Sequence, residues 1–311
     1  MKNRKVLSED VSFVTLEPLV SRVISGHCFV PCTHCGLTNM SVRTFLLSLI
    51  CVVSFSGSLS AQGLIWELPA EGSWVRFEGT YEKEMPGPES NDLNIKLQWT
   101  RHLVISSVGS EMAEFEGEQT PCRWLEFKCI TGKSTESGVA PGVSGPRIYK
   151  VLVPEKAVNG EIKENIGKNE LPVTFLPIVR GYRKTGDRPV EPLKTNVLRF
   201  YPMITMLGHY TQWDSVGEPA SVETPAGTFS ARQYQGTFLS ESTTTRSKNE
   251  GKIWRTSEIP FGVAKWSVVI TRETKGGTQA RSEFKQTSLI QVNMSAHEVG
   301  NNAESELPAS R

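Results

Sequence analysis

The chain is poor in the residues that carry the most recognisable chemistry. Beyond Ala61 it has two cysteines, Cys122 and Cys129, and three histidines, His102, His209 and His297. Two thiols cannot build the dense cross-linking of a small disulfide-framed domain. Single scattered histidines do not spell a metal site or a Ser-His-acid arrangement, because both need an imidazole set against specific partners. The same stretch has no Gly-x-Ser-x-Gly elbow and no glycine loop opening a helix to cradle phosphate. No catalytic residue, cofactor or metal is therefore expected. Charge of one sign is also missing. The chain carries 34 basic and 33 acidic residues. Without the five basic and three acidic residues before Ala61 these become 29 and 30, a net of −1. With no basic face or Lys/Arg run, nucleic acid is not expected as a partner. After Ala61 no apolar run approaches the ~20 residues of a membrane-crossing helix, so no transmembrane anchor is expected in the mature chain.

The one concentrated apolar stretch lies earlier. Met40–Ala61 reads as a secretion signal, with Arg43 as its positive start, an apolar core from Phe45 to Phe55, and Ser, Gly and Ala ahead of a cut near Ala61. Periplasmic or secreted placement follows. Residues 1–39 precede a signal that has to stand first, so Met40 is expected to be the true start. That demotes His27, Cys28, Cys32, His34 and Cys35, which offer zinc its preferred ligands but lack a second ligand pair across a structured spacer. Cys51 sits inside the apolar run after Leu49 and Ile50 rather than behind a small residue, which argues against lipid attachment. Cys122 and Cys129 bracket what reads as one extended strand. At ~3.3 Å per residue their sulfurs are too far apart to join, since a disulfide needs Cα atoms within ~7 Å. Both are expected to be free thiols filling a core.

The remaining ~250 residues suffice for one sizeable core or two small ones. Their periodicity is that of strands. Leu93, Ile95, Leu97 and Trp99 alternate with polar residues, and Trp99 is expected to be buried. Val75 and Phe77 alternate with Trp74, Arg76 and Glu78; Leu125, Phe127 and Cys129 share a face opposite Trp124. Ile148–Val153, apolar on both faces apart from Lys150, suggests a central strand. Further strands are expected over Phe229–Phe238, Lys252–Trp254, Val263–Ile270 and Phe284–Val292. Thr131–Ser134 reads as a turn, and Glu111, Glu114, Glu116 and Glu118 as a solvated strand face. The expected class is mainly β, with a β-rich domain over 62–294 formed by a single curved antiparallel sheet or half-barrel of seven to ten strands. Its proline-rich insertion spans about 154–220, where proline density opposes a long helix. The tail 295–311, polar and without aromatics, is expected to be disordered.

Two corners carry a resemblance. Val222–Phe229 with Ala231–Tyr234, then Lys252–Trp254 and Ser257–Lys265, resemble the C-terminal half of a family of uncharacterised secreted, planctomycete-like bacterial proteins. That family is similar in turn to the lipoprotein-localisation-factor superfamily. The resemblance implies a curved antiparallel sheet, and in the localisation factors the concavity takes up acyl chains. This chain departs from them in lacking a long helix to sit inside the sheet. The residues support the corners directly: Pro225 and Gly227 suit a tight turn, and Ile259–Gly262 a second break.

Seven tryptophans lie beyond Ala61. Trp74 and Trp124, opposite in parity to their core-facing neighbours, are candidates for a patch or cavity wall. Met203 and Met206, adaptable side chains in the proline-rich segment, and Phe261 at the second corner complete a candidate ligand-binding set. The expected function is an exported, non-enzymatic domain holding lipid, another apolar ligand or an envelope partner in its concave face. The alternatives are a carbohydrate-binding or cell-envelope interaction module, in which exposed aromatics stack on sugars, and a hydrolase with a carboxylate pair.

Overall fold

The computed structural model describes residues 63–87, 94–136, 138–142, 145–158, 165–166, 171–172, 176–210 and 213–307. The leader, the secretion signal and the His27–Cys35 cluster lie outside the described residues. The N-terminal half contributes strands β1 (Trp74–Met85), β2 (Ile95–Phe115), β3 (Glu118–Thr135), β4 (Gly138–Pro141) and β5 (Arg147–Pro154). Short strands follow: β6 (Asn165–Ile166), β7 (Leu171–Pro172), β8 (Leu176–Pro177), β9 (Arg180–Thr185), β10 (Glu191–Pro192) and β11 (Val197–Leu198). A five-residue helix, α1 (Tyr201–Thr205), precedes the C-terminal strands β12 (Asp214–Thr224), β13 (Gly227–Glu241), β14 (Thr245–Arg255), β15 (Val263–Thr274) and β16 (Lys285–Gly300).

Twelve of these strands form one antiparallel sheet in the order β10-β9-β5-β3-β2-β1-β16-β15-β14-β13-β12, with β4 beside β3. The sheet is open and does not close into a barrel. The first and last long strands meet at its centre, where β1 lies between β2 and β16. Turn chemistry explains the hairpins. Glu116 and Gly117 both take positive φ, 56° and 84°, as a two-residue loop matching strand twist requires. Thr224 pairs with Gly227 across Pro225-Ala226, and the Pro260–Gly262 turn leads from β14 into β15. Both expected corners are present.

Alternation sorts the side chains. Val75, Phe77, Leu103, Ile105, Leu125, Phe127, Trp266, Val268, Val292 and Met294 face one continuous core. Cys122 and Cys129 are both buried and free, on opposite faces of β3. The strand over Ile148–Val153 lies between β3 and β9 and is buried on both faces, as read.

Several expectations need correction. Thr131–Ser134 is not a turn but strand, because β4 pairs there and a Cβ on Gly132 would lie 1.8 Å from Ala140 O. Trp99 is half-buried, edge-on to Tyr81 at 5.5 Å, near the far end of β1 and β2. The insertion is less detached than proline density suggested: Arg180–Thr185 joins the main sheet and β12 begins at Asp214. The tail boundary also moves. Ser295–Gly300 completes β16 against β1 through backbone pairing, and Leu307, beyond it, is 1% exposed.

Candidate functional site

The inner face of the sheet is filled by the chain itself. Leu64, Ile65 and Trp66 lie in this core together with Leu198, Tyr201, Ile204, Leu207, Tyr210 and Trp213. A helix as short as α1 leaves most of its carbonyls without helical partners. Three strands supply donors for four consecutive ones. Arg101 on β2 donates to Met203 O (2.9 Å) and Ile204 O (2.5 Å), Trp266 Nε1 on β15 donates to Thr205 O (3.0 Å), and Asn249 Nδ2 on β14 donates to Met206 O (3.1 Å). Because strands from both wings grip one short segment, the sheet must wrap around it. Aromatic contacts continue the seal: Tyr201 lies edge-on to Phe127 at 5.7 Å, and Phe200 stacks on Tyr149 at 5.5 Å. The Tyr201 hydroxyl, fully buried, accepts from Leu64 N–H (2.8 Å), and burial pushes its ionisation well above the ordinary tyrosine range. The Arg255 guanidinium sits 3.9 Å from the Trp66 ring centre, and Trp66 stacks on Tyr234.

The outer face brings together a polar cluster that sequence reading had scattered. Glu78 on β1 is the cross-strand partner of His102 on β2. On the other side, the β1–β16 register shifts between Arg76 and Phe77, so that His297 is the extra residue of a bulge. Bulges redirect side chains. Here both His297 and Glu298 reach Arg76, with Arg76 NH2 3.3 Å from His297 Nδ1 and 3.0 Å from Glu298 Oε2. Arg76 NH1 lies 2.9 Å from Glu78 Oε1, while Glu78 Oε2 faces both imidazoles, at 3.5 Å from His102 Nε2 and 3.6 Å from His297 Nε2.

A guanidinium can only donate, so the bond from Arg76 makes Nδ1 of His297 the acceptor and leaves its proton on Nε2, aimed at Glu78. A protonated Nε2 has no lone pair for a metal. Among the described residues no group of three or more His, Cys, Asp or Glu is arranged to hold a metal. Burial lowers the proton affinity of His102, with Glu78 opposing and Arg76 and His297 reinforcing that effect. Burial alone does the same for His209, whose Nδ1 has no hydrogen-bond partner among the described residues.

A lowered imidazole pKa means that the folded chain binds fewer protons than the unfolded chain. Stability from these groups is then complete above the free value near ~6.5 and is lost as pH falls toward the folded values. Urea midpoints are expected to be lower at pH 5.5 than at pH 7.5. The double substitution His102→Gln, His209→Gln should flatten that difference; an unchanged slope would remove both histidines as its source.

The five sequence candidates do not line one pocket. Phe261 is 0% exposed inside the core, with φ of 70° at the β14–β15 corner. Met206 packs against the same core with its backbone at φ 63°, while Met203 on α1 is 38% exposed. Trp74 and Trp124 are on the opposite, outer face. Trp74 Nε1 donates to Asn302 Oδ1 (3.0 Å). Trp124 stacks on Tyr182 at 6.2 Å, lies under Lys150 and Arg180, and donates to Glu111 Oε2 (3.0 Å). Trp74 and Trp124 stand apart from the core, Met206 and Phe261 pack into the filled side, and Met203 is exposed. A cleft of about 100 Å³ at the β9–β10 edge is lined by Arg183, Thr185, Arg188, Pro189 and Glu191. It is smaller than the ~300 Å³ at which ligand pockets begin.

No family model and no curated protein matches the chain. Among solved structures it is similar to a candidate lipoprotein of Parabacteroides distasonis, at 10% identity, covering 77% of this chain and 100% of that one with a TM-score of 0.31. A likeness at that level bears on neither the site nor its ligand.

Proposed function

We propose that this chain is an exported, non-enzymatic domain that works through its outer face, as a cell-envelope interaction module. The observation that carries this is the occupied interior. The side that would have to receive an acyl chain is packed with the chain's own tyrosines, tryptophans and leucines, and α1 is hydrogen-bonded to three strands there. Recognition is left to the outer face, where half-exposed aromatics stand beside charges, as with Trp254 under Lys265 at 4.6 Å. Aromatic rings with cationic neighbours suit envelope glycans carrying negative charge. Export is supported by the Met40–Ala61 signal pattern and by the resemblance of 222–265 to secreted bacterial proteins.

The test is co-sedimentation of the purified mature protein with isolated envelope glycan. Wild type is expected to pellet, and Trp254→Ala to bind at least fivefold more weakly while unfolding at an unchanged urea midpoint. Equal binding by both, or none by either, would overturn the assignment of recognition to this face.

A further inference from the structure

Residues 301–307 turn back from the end of β16 and lie over the outer face as an extended strap. The fold grips it through both its backbone and its side chains, Asn302 Oδ1 among them, which accepts from Trp74 Nε1 (3.0 Å). Ala303 N–H donates to Gly72 O (2.8 Å). The Glu126 carboxylate accepts from Ser305 Oγ (2.9 Å), Glu306 N–H (3.0 Å) and Leu307 N–H (3.3 Å). Lys150 Nζ donates to Leu307 O (2.9 Å), and Lys128 Nζ pairs with Glu306 Oε1 (2.8 Å).

The gripping residues form a built site. Glu126 and Lys150 are register partners on β3 and β5, yet they are only 4% and 6% exposed. Buried charges are rarely retained unless fully hydrogen-bonded, and here the strap supplies the bonds. Leu307, at 1% exposure, is its apolar anchor. A carboxylate reading successive N–H groups and an ammonium capping a carbonyl can hold a polypeptide wherever that polypeptide begins. Nothing in these contacts requires the segment to belong to the same chain.

We propose that the outer face of β3 and β5 is a polypeptide-binding groove, and that it takes Asn301–Leu307 of a second copy of this chain, so that two copies pair by exchanging C-terminal straps. This goes beyond the envelope reading and does not depend on it. Tethering gives the chain's own strap an effective concentration on the order of millimolar. The isolated protein therefore closes on itself, and exchange prevails where copies are crowded or the own strap is weakened. Exchange of identical elements is a low-cost route to a dimer.

The test mixes two full-length variants, each disabled on one side. Leu307→Asp spoils the strap and leaves the groove intact; Glu126→Gln with Lys150→Met spoils the groove and frees the strap. Each alone is expected to be monomeric by native mass spectrometry, and the mixture to yield a one-to-one heterodimer at least tenfold above either alone. A mixture that stays monomeric, with both variants unfolding cooperatively, would overturn the proposal. Should the groove variant not fold, a labelled synthetic peptide spanning Asn301–Leu307 replaces it. The Leu307→Asp chain should bind the peptide at least tenfold more tightly than wild type does; no binding would overturn the groove.

Discussion

Replacing Arg101 by methionine is expected to lower the unfolding free energy by about 2–5 kcal/mol, through the loss of two charge-assisted hydrogen bonds in the core. The side chain is 7% exposed on the inner face of β2, and its guanidinium meets the carbonyls of Met203 and Ile204 at the end of α1. Methionine keeps much of the apolar volume, so the loss reports the polar contact. Two carbonyls would be left buried without donors, at about 1–3 kcal/mol each. A small recovery comes from removing Arg101 Nε, which is itself buried without a partner. Lysine, a single-point donor, should restore part of the loss. Urea unfolding decides it: a change below ~1 kcal/mol, within the range of an ordinary substitution, would mean that α1 is held by packing alone.

Trp266→Ala is expected to be larger still, about 5 kcal/mol, near the top of the range for deleting a buried aromatic. Trp266 is 1% exposed, meets Phe77 edge-on at 4.8 Å and donates to Thr205 O. Alanine leaves a cavity and an orphaned carbonyl together. Domains of this kind have roughly 5–15 kcal/mol in total, so the alanine variant is expected to lose a third or more of its stability. Trp266→Phe keeps most of the volume and should cost only about 1–3 kcal/mol, the expense of the unpaired Thr205 carbonyl. Since Arg101 and Trp266 hold adjacent carbonyls of one helix, their effects should not add. Once α1 is unseated, the second substitution has less to remove, and the double variant should fall short of the sum by at least ~0.5 kcal/mol. Strict additivity would show that the two contacts are independent.

Much of the fold was legible because a strand writes its two faces into a period of two. Val75 and Phe77 against Trp74, and Leu125 and Phe127 against Trp124, place themselves without any partner being known. Turns were equally local, since Pro225, Gly227 and Gly262 state their backbone needs by residue type. The thiols followed from chain geometry alone: two cysteines along one strand cannot meet, and Cys122 and Cys129 do not.

The candidate site was not legible in the same way. Arg76 and His297 are 221 positions apart and meet because β16 returns to lie beside β1, with one bulge turning His297 and Glu298 onto the same side. Nothing in the spacing of three single histidines reveals that two of them share Glu78. The tail misled for a related reason: Asn301–Leu307 is polar and unpatterned, and it is ordered by Glu126 and Lys150 on distant strands. The proline-rich segment misled in the opposite direction, offering Met203 and Met206 as adaptable ligand contacts when their backbone carbonyls are tied to the sheet.

By itself, then, the sequence determined the mainly β class, the separation of faces, the corners and the free thiols, because each depends on neighbours within a few residues. Only the tertiary structure decided that the interior is already full, that a histidine–glutamate–arginine cluster lies on the outer face, and that the last residues strap that face. Those outcomes depend on strand order and register, which bring together residues that chain distance cannot relate.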